Sequence, residues 1–212
     1  MKHIEALDCR VMSDANTLQQ QMVMDVNAAR ADPLAAVHSV GLTSLNQDLP
    51  AGTISPGPKQ TVKWNDPLGK AAVKYSAELM SRGQITHDLD GTTPTSRARA
   101  QRFLGEIVLE NAGVSITSVS FWDPASVLHR QHLLYIAHAG HRAQLFDSRT
   151  SNIGVGVSVG YFNGSPAMIS VVMFGSNPSS PPNRLFFRID YETLSFIKVI
   201  NGEETDTGSG NS

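Results

Sequence analysis

Residues 153–174 read IGVGVSVGYFNGSPAMISVVMF, and this stretch decides the fold class. Ile153–Val159 and Ala167–Phe174 are two runs rich in β-branched residues. Between them lies Asn163-Gly164, a pair that tolerates the positive φ angles of a tight hairpin turn. The two runs therefore read as an antiparallel hairpin. Upstream the apolar spacing is helical, so helices come first and the hairpin last, with the sheet largely antiparallel and helices packed on it. That is α+β, not a doubly wound parallel fold. Gly154-Val155-Gly156 lies inside a strand and lacks the third glycine and following helix of a dinucleotide fingerprint, which excludes that class.

Working outward, Leu18, Met22, Val26 and Ala29 recur at four- and three-residue steps, predicting a helix from Ser13 to about Ser39 that Pro33 ends or kinks. Gly41–Thr61 is a loop dense in Gly, Pro, Ser and Thr. Asn65-Asp66-Pro67 supplies a cap with proline in the first turn of a helix carrying Leu68, Ala72, Tyr75 and Leu79 on one face and stopping near Gly83. Thr92–Thr95 caps a basic helix whose Arg97, Arg99 and Arg102 are expected on a solvated face. Glu106–Val114 reads as a strand, and Pro124 begins a helix ending near Gly140.

Several classes are excluded by composition. Lys+Arg 17 against Asp+Glu 19 leaves a net charge of -2 without a basic cluster, so a nucleic-acid surface is not expected. No apolar run approaches the roughly 20 residues of a membrane-spanning helix, and Met1–Asp14 contains no apolar core of a signal peptide. The single cysteine, Cys9, rules out an internal disulfide framework. The expected organisation is a leader over residues 1–14, a domain over 15–175 and a linker over 176–183 (SNPSSPPN). Residues 184–212 follow, holding strand-like Leu185–Asp190 and Thr193–Ile200 and an acidic, Gly/Ser-containing tail.

Chemistry-bearing residues are few. His129/His132 and His138/His141 are each spaced i,i+3, which puts each pair on one side of a helix. His87 sits in a loop after the Leu68–Leu79 helix. Glu110 falls in the apolar run Ile107-Val108-Leu109-Glu110-Asn111, where its charge must face solvent or find a buried partner.

In chain order these segments are Trp64-Asn65-Asp66-Pro67-Leu68, the His87 loop, an Asp-Gly pair followed by Arg97, Leu109-Glu110-Asn111-Ala112, Gly140-His141-Arg142, Ile153-Gly154-Val155-Gly156 and Val172-Met173-Phe174-Gly175. The set resembles the CAP superfamily (cysteine-rich secretory proteins, antigen 5, pathogenesis-related 1), most like its bacterial secreted members, over about Leu18 to Gly175. The resemblance implies a three-layer α-β-α sandwich with a mainly antiparallel central sheet. It also implies a cleft containing His87, His141 and Glu110, with His138 near the place of a second family carboxylate and Tyr135 near the preceding aromatic. Trp64 is expected to be largely buried, like the family's helix-opening aromatic. Leu109 stands where the family motif has glycine. Phe187-Arg188-Ile189-Asp190, Glu192–Phe196 and the acidic Glu203–Asp206 resemble part of a cadherin-like repeat. The alternative for this end is a private hairpin extension.

Functional expectations follow from the resemblance and the donor chemistry. Two imidazoles and one carboxylate with an open position match a catalytic zinc set, so Zn2+ or another divalent metal held by His87, His141 and Glu110 is the implied cofactor. The same groups also fit a hydrogen-bonded cluster holding the layers in register. The leading expectation is a secreted or cell-surface binding module, part of a larger multidomain protein, with a small-molecule, lipid or cell-envelope ligand in the cleft. An alternative is a hydrolase in which Glu110 activates water with His87 and His141 as ligands or acid/base groups. A third is an inert scaffold domain of an adhesin.

Overall fold

Two eleven-residue strands, β3 (Asn152–Phe162) and β4 (Ser165–Gly175), form from the 153–174 stretch in the computed structural model of the chain. The structure describes residues 5–116, 123–178, 184–190, 193–200 and 203–210, with side chains over 16–116 and 123–178. Asn163 and Gly164 both have positive φ, 51° and 84°, the requirement of the two-residue turn. On the other side of β4 lies β2 (Val108–Ile116), antiparallel to it, and beyond β3 lies the two-residue β1 (Lys63–Trp64). The β1–β3 pair is parallel, so the sheet is mixed rather than wholly antiparallel.

Helices α1 (Glu5–Ala31), α2 (Pro33–Ser39), α5 (Pro124–Ala137) and α6 (Ala139–Leu145) belong to one face; α3 (Asp66–Arg82) and α4 (Pro94–Ala100) belong to the other. Leu18, Met22 and Val26 of α1 bury with Leu128 and Ile136 of α5 against Ile153, Val155 and Val172. Leu68, Ala72, Tyr75 and Leu79 of α3 bury on the opposite face against Ile169, Val171 and Met173. The sequence-derived α+β class and three-layer sandwich hold. Strand alternation explains the division, since successive residues of β3 and β4 address opposite faces.

The glycines of β3 set the distance between layers. A Cβ on Gly154 would stand 2.2 Å from the backbone of Leu68 and Gly69, and one on Gly156 would stand 2.1 Å from the Ala72 carbonyl oxygen. The Gly-Val-Gly segment is thus a seat for α3. Asn65 caps that helix by accepting from Leu68 N, and Gly83, at φ 61°, ends it in the left-handed conformation.

Three expectations need correction. Helix α1 begins at Glu5, ahead of Ser13. Trp64 is not buried: it is 43% exposed. Its ring lies across Gly69 of α3, with Nε1 donating to Asp66 Oδ1 at 2.7 Å. Ser176, expected in the linker, is buried: its N–H donates to the Ile107 carbonyl, and its Oγ accepts from the N–H groups of Glu106 and Ile107. Linker residues 179–183 and leader residues 1–4 lie outside the described residues.

The chain divides into two units, Met1–Ser176 and Asn177–Ser212. The second holds an antiparallel three-stranded sheet of β5 (Arg184–Asp190), β6 (Thr193–Ile200) and β7 (Glu203–Gly210) in that order. Most of the acidic stretch read as a tail is therefore β7, paired with β6 from Ile200↔Glu203 to Leu194↔Gly210. Backbone pairing needs no apolar side chains, so an acidic, Gly/Ser-containing segment can still form a strand.

Candidate functional site

Glu110 is 2% exposed on an edge strand, and both its oxygens are taken. Oε2 accepts from Arg97 Nη2 at 2.6 Å, and Oε1 lies 2.9 Å from His87 Nδ1. A carboxylate acceptor assigns the proton to Nδ1, which leaves Nε2 of the half-exposed His87 ring as the free nitrogen. The hydrogen bond to Glu110, more than any other factor, raises the His87 pKa above its ordinary value.

Arg97 is placed by α4, a short helix opened by a reciprocal Thr93–Ser96 capping box with Pro94 in the first turn. Its Nη1 donates to the carbonyls of His87 and Thr92 and to Thr92 Oγ1, at 3.1, 3.2 and 3.0 Å. The guanidinium also lies 3.4 Å from the centre of the Tyr75 ring, a cation–π stack. The solvated face expected for the α4 arginines is thus wrong for Arg97, which is buried. The Glu110 carboxylate supplies the reason, because a charge inside the sandwich requires a counter-charge. Tyr75 completes the support: its hydroxyl donates to the Thr86 carbonyl at 2.7 Å at the start of the His87 loop, and burial pushes its pKa up.

The alternation of β2 puts Ala112 and Glu110 toward α3 and α4, while Asn111 and Gly113 face α5 and α6. Asn111 Nδ2 donates to the His141 carbonyl at 3.2 Å. The His141 ring sits edge-on to Tyr135, centroids 5.1 Å apart, and 4.7 Å from the His138 ring. Tyr135 is anchored through its hydroxyl, which donates to the Ser170 carbonyl at 3.0 Å and lies 2.8 Å from Ser170 Oγ, and burial pushes its pKa up. Burial, then the charges of His138 and His87, push the His141 pKa down to about 4.

His141 and His87 approach β2 from opposite layers. Beside His141 is an open groove of about 460 Å3 whose walls include Gly113, Val114, Leu134, Tyr135, His138 and His141. A Cβ at Gly113 would stand 3.0 Å from the Tyr135 hydroxyl, so glycine keeps that ring close to the strand.

A family model described as the cysteine-rich secretory protein family, CAP, matches residues 25–174. The chain belongs to the CAP family. Among solved structures it is similar to an extracellular protein containing an SCP domain from Bacillus anthracis str. Ames, at 16% identity and TM-score 0.51, over 77% of this chain and 41% of that one. The chain thus spans about two fifths of the Bacillus protein, and the likeness concerns the fold alone. An outer surface protein from Borrelia burgdorferi matches at 25% identity and TM-score 0.45, over 55% of this chain and 77% of that one. BmVAL-1 matches at 18% identity and TM-score 0.39, over 73% and 76%. A comparison with curated proteins returns no match. The family match ends at residue 174 and lends no support to the cadherin-like resemblance of the C-terminal strands.

The donor set bears on the metal that the CAP resemblance implies. A cation ligated by Glu110 would have to displace the Arg97 guanidinium or sit beside its charge, which Coulomb repulsion opposes. Among the described residues no group of three His, Cys, Asp or Glu side chains is arranged to hold an ion. As they stand, His87, Glu110 and His141 do not offer a three-donor site. Glu110 instead has the position of an outer group that fixes the tautomer and orientation of His87.

The other histidine pair lies elsewhere: His129 Nδ1 is 3.0 Å from Asp25 of α1, and His132 is buried between α1 and α5. Sequence reasoning missed Arg97 and Tyr75 as the groups that support the Glu110–His87 pair. A signal for Arg97 was present, since Glu110 in an apolar run demanded a cation and Arg97 follows the Asp-Gly pair in the ordered motif.

Proposed function

We propose that this chain is a binding module of the extracellular or cell-surface CAP type, taking an amphipathic small molecule or lipid in the groove beside Tyr135, His138 and His141. The observation that carries the reading is the double engagement of Glu110. A carboxylate bonded to a guanidinium and an imidazole and closed off from solvent is not placed to activate water, whereas the groove beside His141 offers Val114, Leu134 and Tyr135 to an apolar body and two imidazoles to a polar head. The extracellular nature of the Bacillus relative supports the location.

The test is titration with a fluorescent long-chain fatty acid, followed by displacement with its unlabelled parent. Leu134→Asp and His141→Ala are expected to weaken binding by about tenfold each, while His129→Ala leaves it unchanged. Saturable binding indifferent to both groove variants, or the absence of saturable binding, overturns the reading.

A further inference from the structure

Trp64 is exposed and yet fixed. Its indole lies across Gly69, where a Cβ would stand 2.4 Å from Cζ2, and Nε1 donates to Asp66 Oδ1 at 2.7 Å. A glycine that makes room for the ring and a carboxylate that holds its N–H together fix one orientation. The residue nevertheless remains 43% exposed, so the restraints hold an aromatic side chain at the surface rather than build the core.

The plane faces a groove. Asn16, Gln19, Gln20, Val23 and Met24 recur at the three- and four-residue steps of one face of α1, and with Trp64 they line an open space of about 450 Å3, within the range of small-ligand sites. Val23 and Met24 continue the apolar surface of the indole. The amides of Asn16, Gln19 and Gln20 make no side-chain hydrogen bond among the described residues. None of the lining residues is charged, and the nearby Asp66 carboxylate is turned to the indole N–H.

This chemistry selects the ligand. An anion or nucleic-acid backbone needs Lys or Arg, and a proline-rich peptide needs a groove between several aromatic rings; here there is one indole and no cation. An uncharged pyranose ring fits both halves. Its C–H face lies on the electron-rich face of the indole, and its neighbouring hydroxyls pair with amides that both donate and accept. The geometry points to Trp64 and the Asn16/Gln20 face of α1 as a binding platform for a neutral saccharide chain. This platform is separate from the His87/His141 cleft and does not depend on its reading.

The test uses the full chain with 15N-labelled indoles. The sequence has two tryptophans, Trp64 and Trp122, so Trp64→Phe assigns the two indole resonances. Cellohexaose, chitohexaose and maltohexaose are titrated separately. At least one is expected to shift the Trp64 resonance saturably. Trp64→Ala weakens that sugar by about tenfold or more and Gln20→Ala by about threefold, while His141→Ala leaves it unchanged. Thermal unfolding verifies that each variant is folded, and Trp64→Gln replaces Trp64→Ala if the latter is not. The proposal is overturned if no hexaose moves the resonance or if the folded Trp64 variant binds as tightly as the parent. A response to a synthetic SNPSSPPN peptide but to no sugar also overturns it and assigns a peptide site.

Discussion

Arg97 and Glu110 form a 2.6 Å ion pair at the outer edge of the sheet, where neither side chain has more than slight contact with solvent. Such a pair contributes little over an apolar pair of similar volume, but breaking it on one side leaves a buried charge alone. Arg97→Met and Glu110→Leu are each expected to cost about 3–5 kcal/mol, and the double variant clearly less than their sum. Urea denaturation of the four proteins near neutral pH measures the cycle. Additive losses would mean that the two groups do not hold each other in solution.

The imidazoles give the acid limb of the stability profile its sign. Burial pushes His132 down to about 4, and burial with neighbouring positive charge does the same for His141. In the unfolded chain both return to about 6.5, so between pH 6.5 and 4 the unfolded state binds more protons and stability falls as the pH drops. His87 works in the opposite sense. Its pKa is raised in the fold, so its contribution is complete below about 6.5 and is lost as the pH rises through the folded value, and half-exposure keeps it small. His132→Leu is expected to remove up to about 3 kcal/mol of the loss between about pH 7 and pH 4. An unchanged acid limb, read from urea midpoints, would contradict the burial of His132.

Legibility followed the physics of each signal. The hairpin and α3 were readable because β-branched runs, the Asn163-Gly164 turn, Asn65, Pro67 and Gly83 all act locally. Helix α6 was missed because it begins where α5 ends, with His138 closing one and opening the other, so no apolar period separates them. Strand β1 exists only through its pairing with β3, a contact between residues almost ninety positions apart. Motif order nominates His87, Glu110, His141, His138 and Tyr135 as candidates, and the structure divides them between the two faces of β2. What each one touches could not be read from that order, because Arg97 and Tyr75 enter through tertiary packing, and an arginine spaced like a surface residue carries no mark of being buried.

The close seat of α3 on β3 yields a sharper expectation than hydrophobicity does. At Gly154 and Gly156 the obstructing atoms are backbone, which cannot rotate aside as a side chain would. Gly154→Ala and Gly156→Ala should each destabilise by about 3 kcal/mol, although alanine is no less apolar than glycine. Gly57→Ala, where a Cβ meets nothing within 4 Å, serves as the control and should change the thermal midpoint little.

Ser176 defines where the first unit can be ended. Its N–H and Oγ tie the end of β4 to Glu106 and Ile107, just ahead of β2. A chain stopped after Asn177 is expected to keep one cooperative thermal transition. Stopping after Gly175 should cost about 1–3 kcal/mol, because the Glu106 and Ile107 backbone groups lose their partners. Loss of the transition in the longer truncation would place the boundary elsewhere.

Arg142, next to His141, gives the most demanding comparison. It is fully buried and has no carboxylate partner among its hydrogen bonds. Nη1 donates at 3.0 Å to the carbonyls of Ile136 and Ala137, the open end of α5, while Nε and Nη2 reach the carbonyls of Leu45 and Gln47 in the loop after α2. Burial accordingly pushes its pKa down, yet arginine stays charged. A lysine keeps the charge but brings one compact ammonium in place of the planar fork, so it cannot span four carbonyls on two segments. Arg142→Lys is expected to cost more than about 2 kcal/mol by urea denaturation. Arg149→Lys, at an exposed arginine paired with Asp147, should cost less than about 0.5 kcal/mol. The two variants make the same chemical change at different depths, so only the carbonyl cage separates them. Equal small losses would mean that Arg142 does not hold the Leu45–Gln47 loop to α5, and the loop would need another anchor.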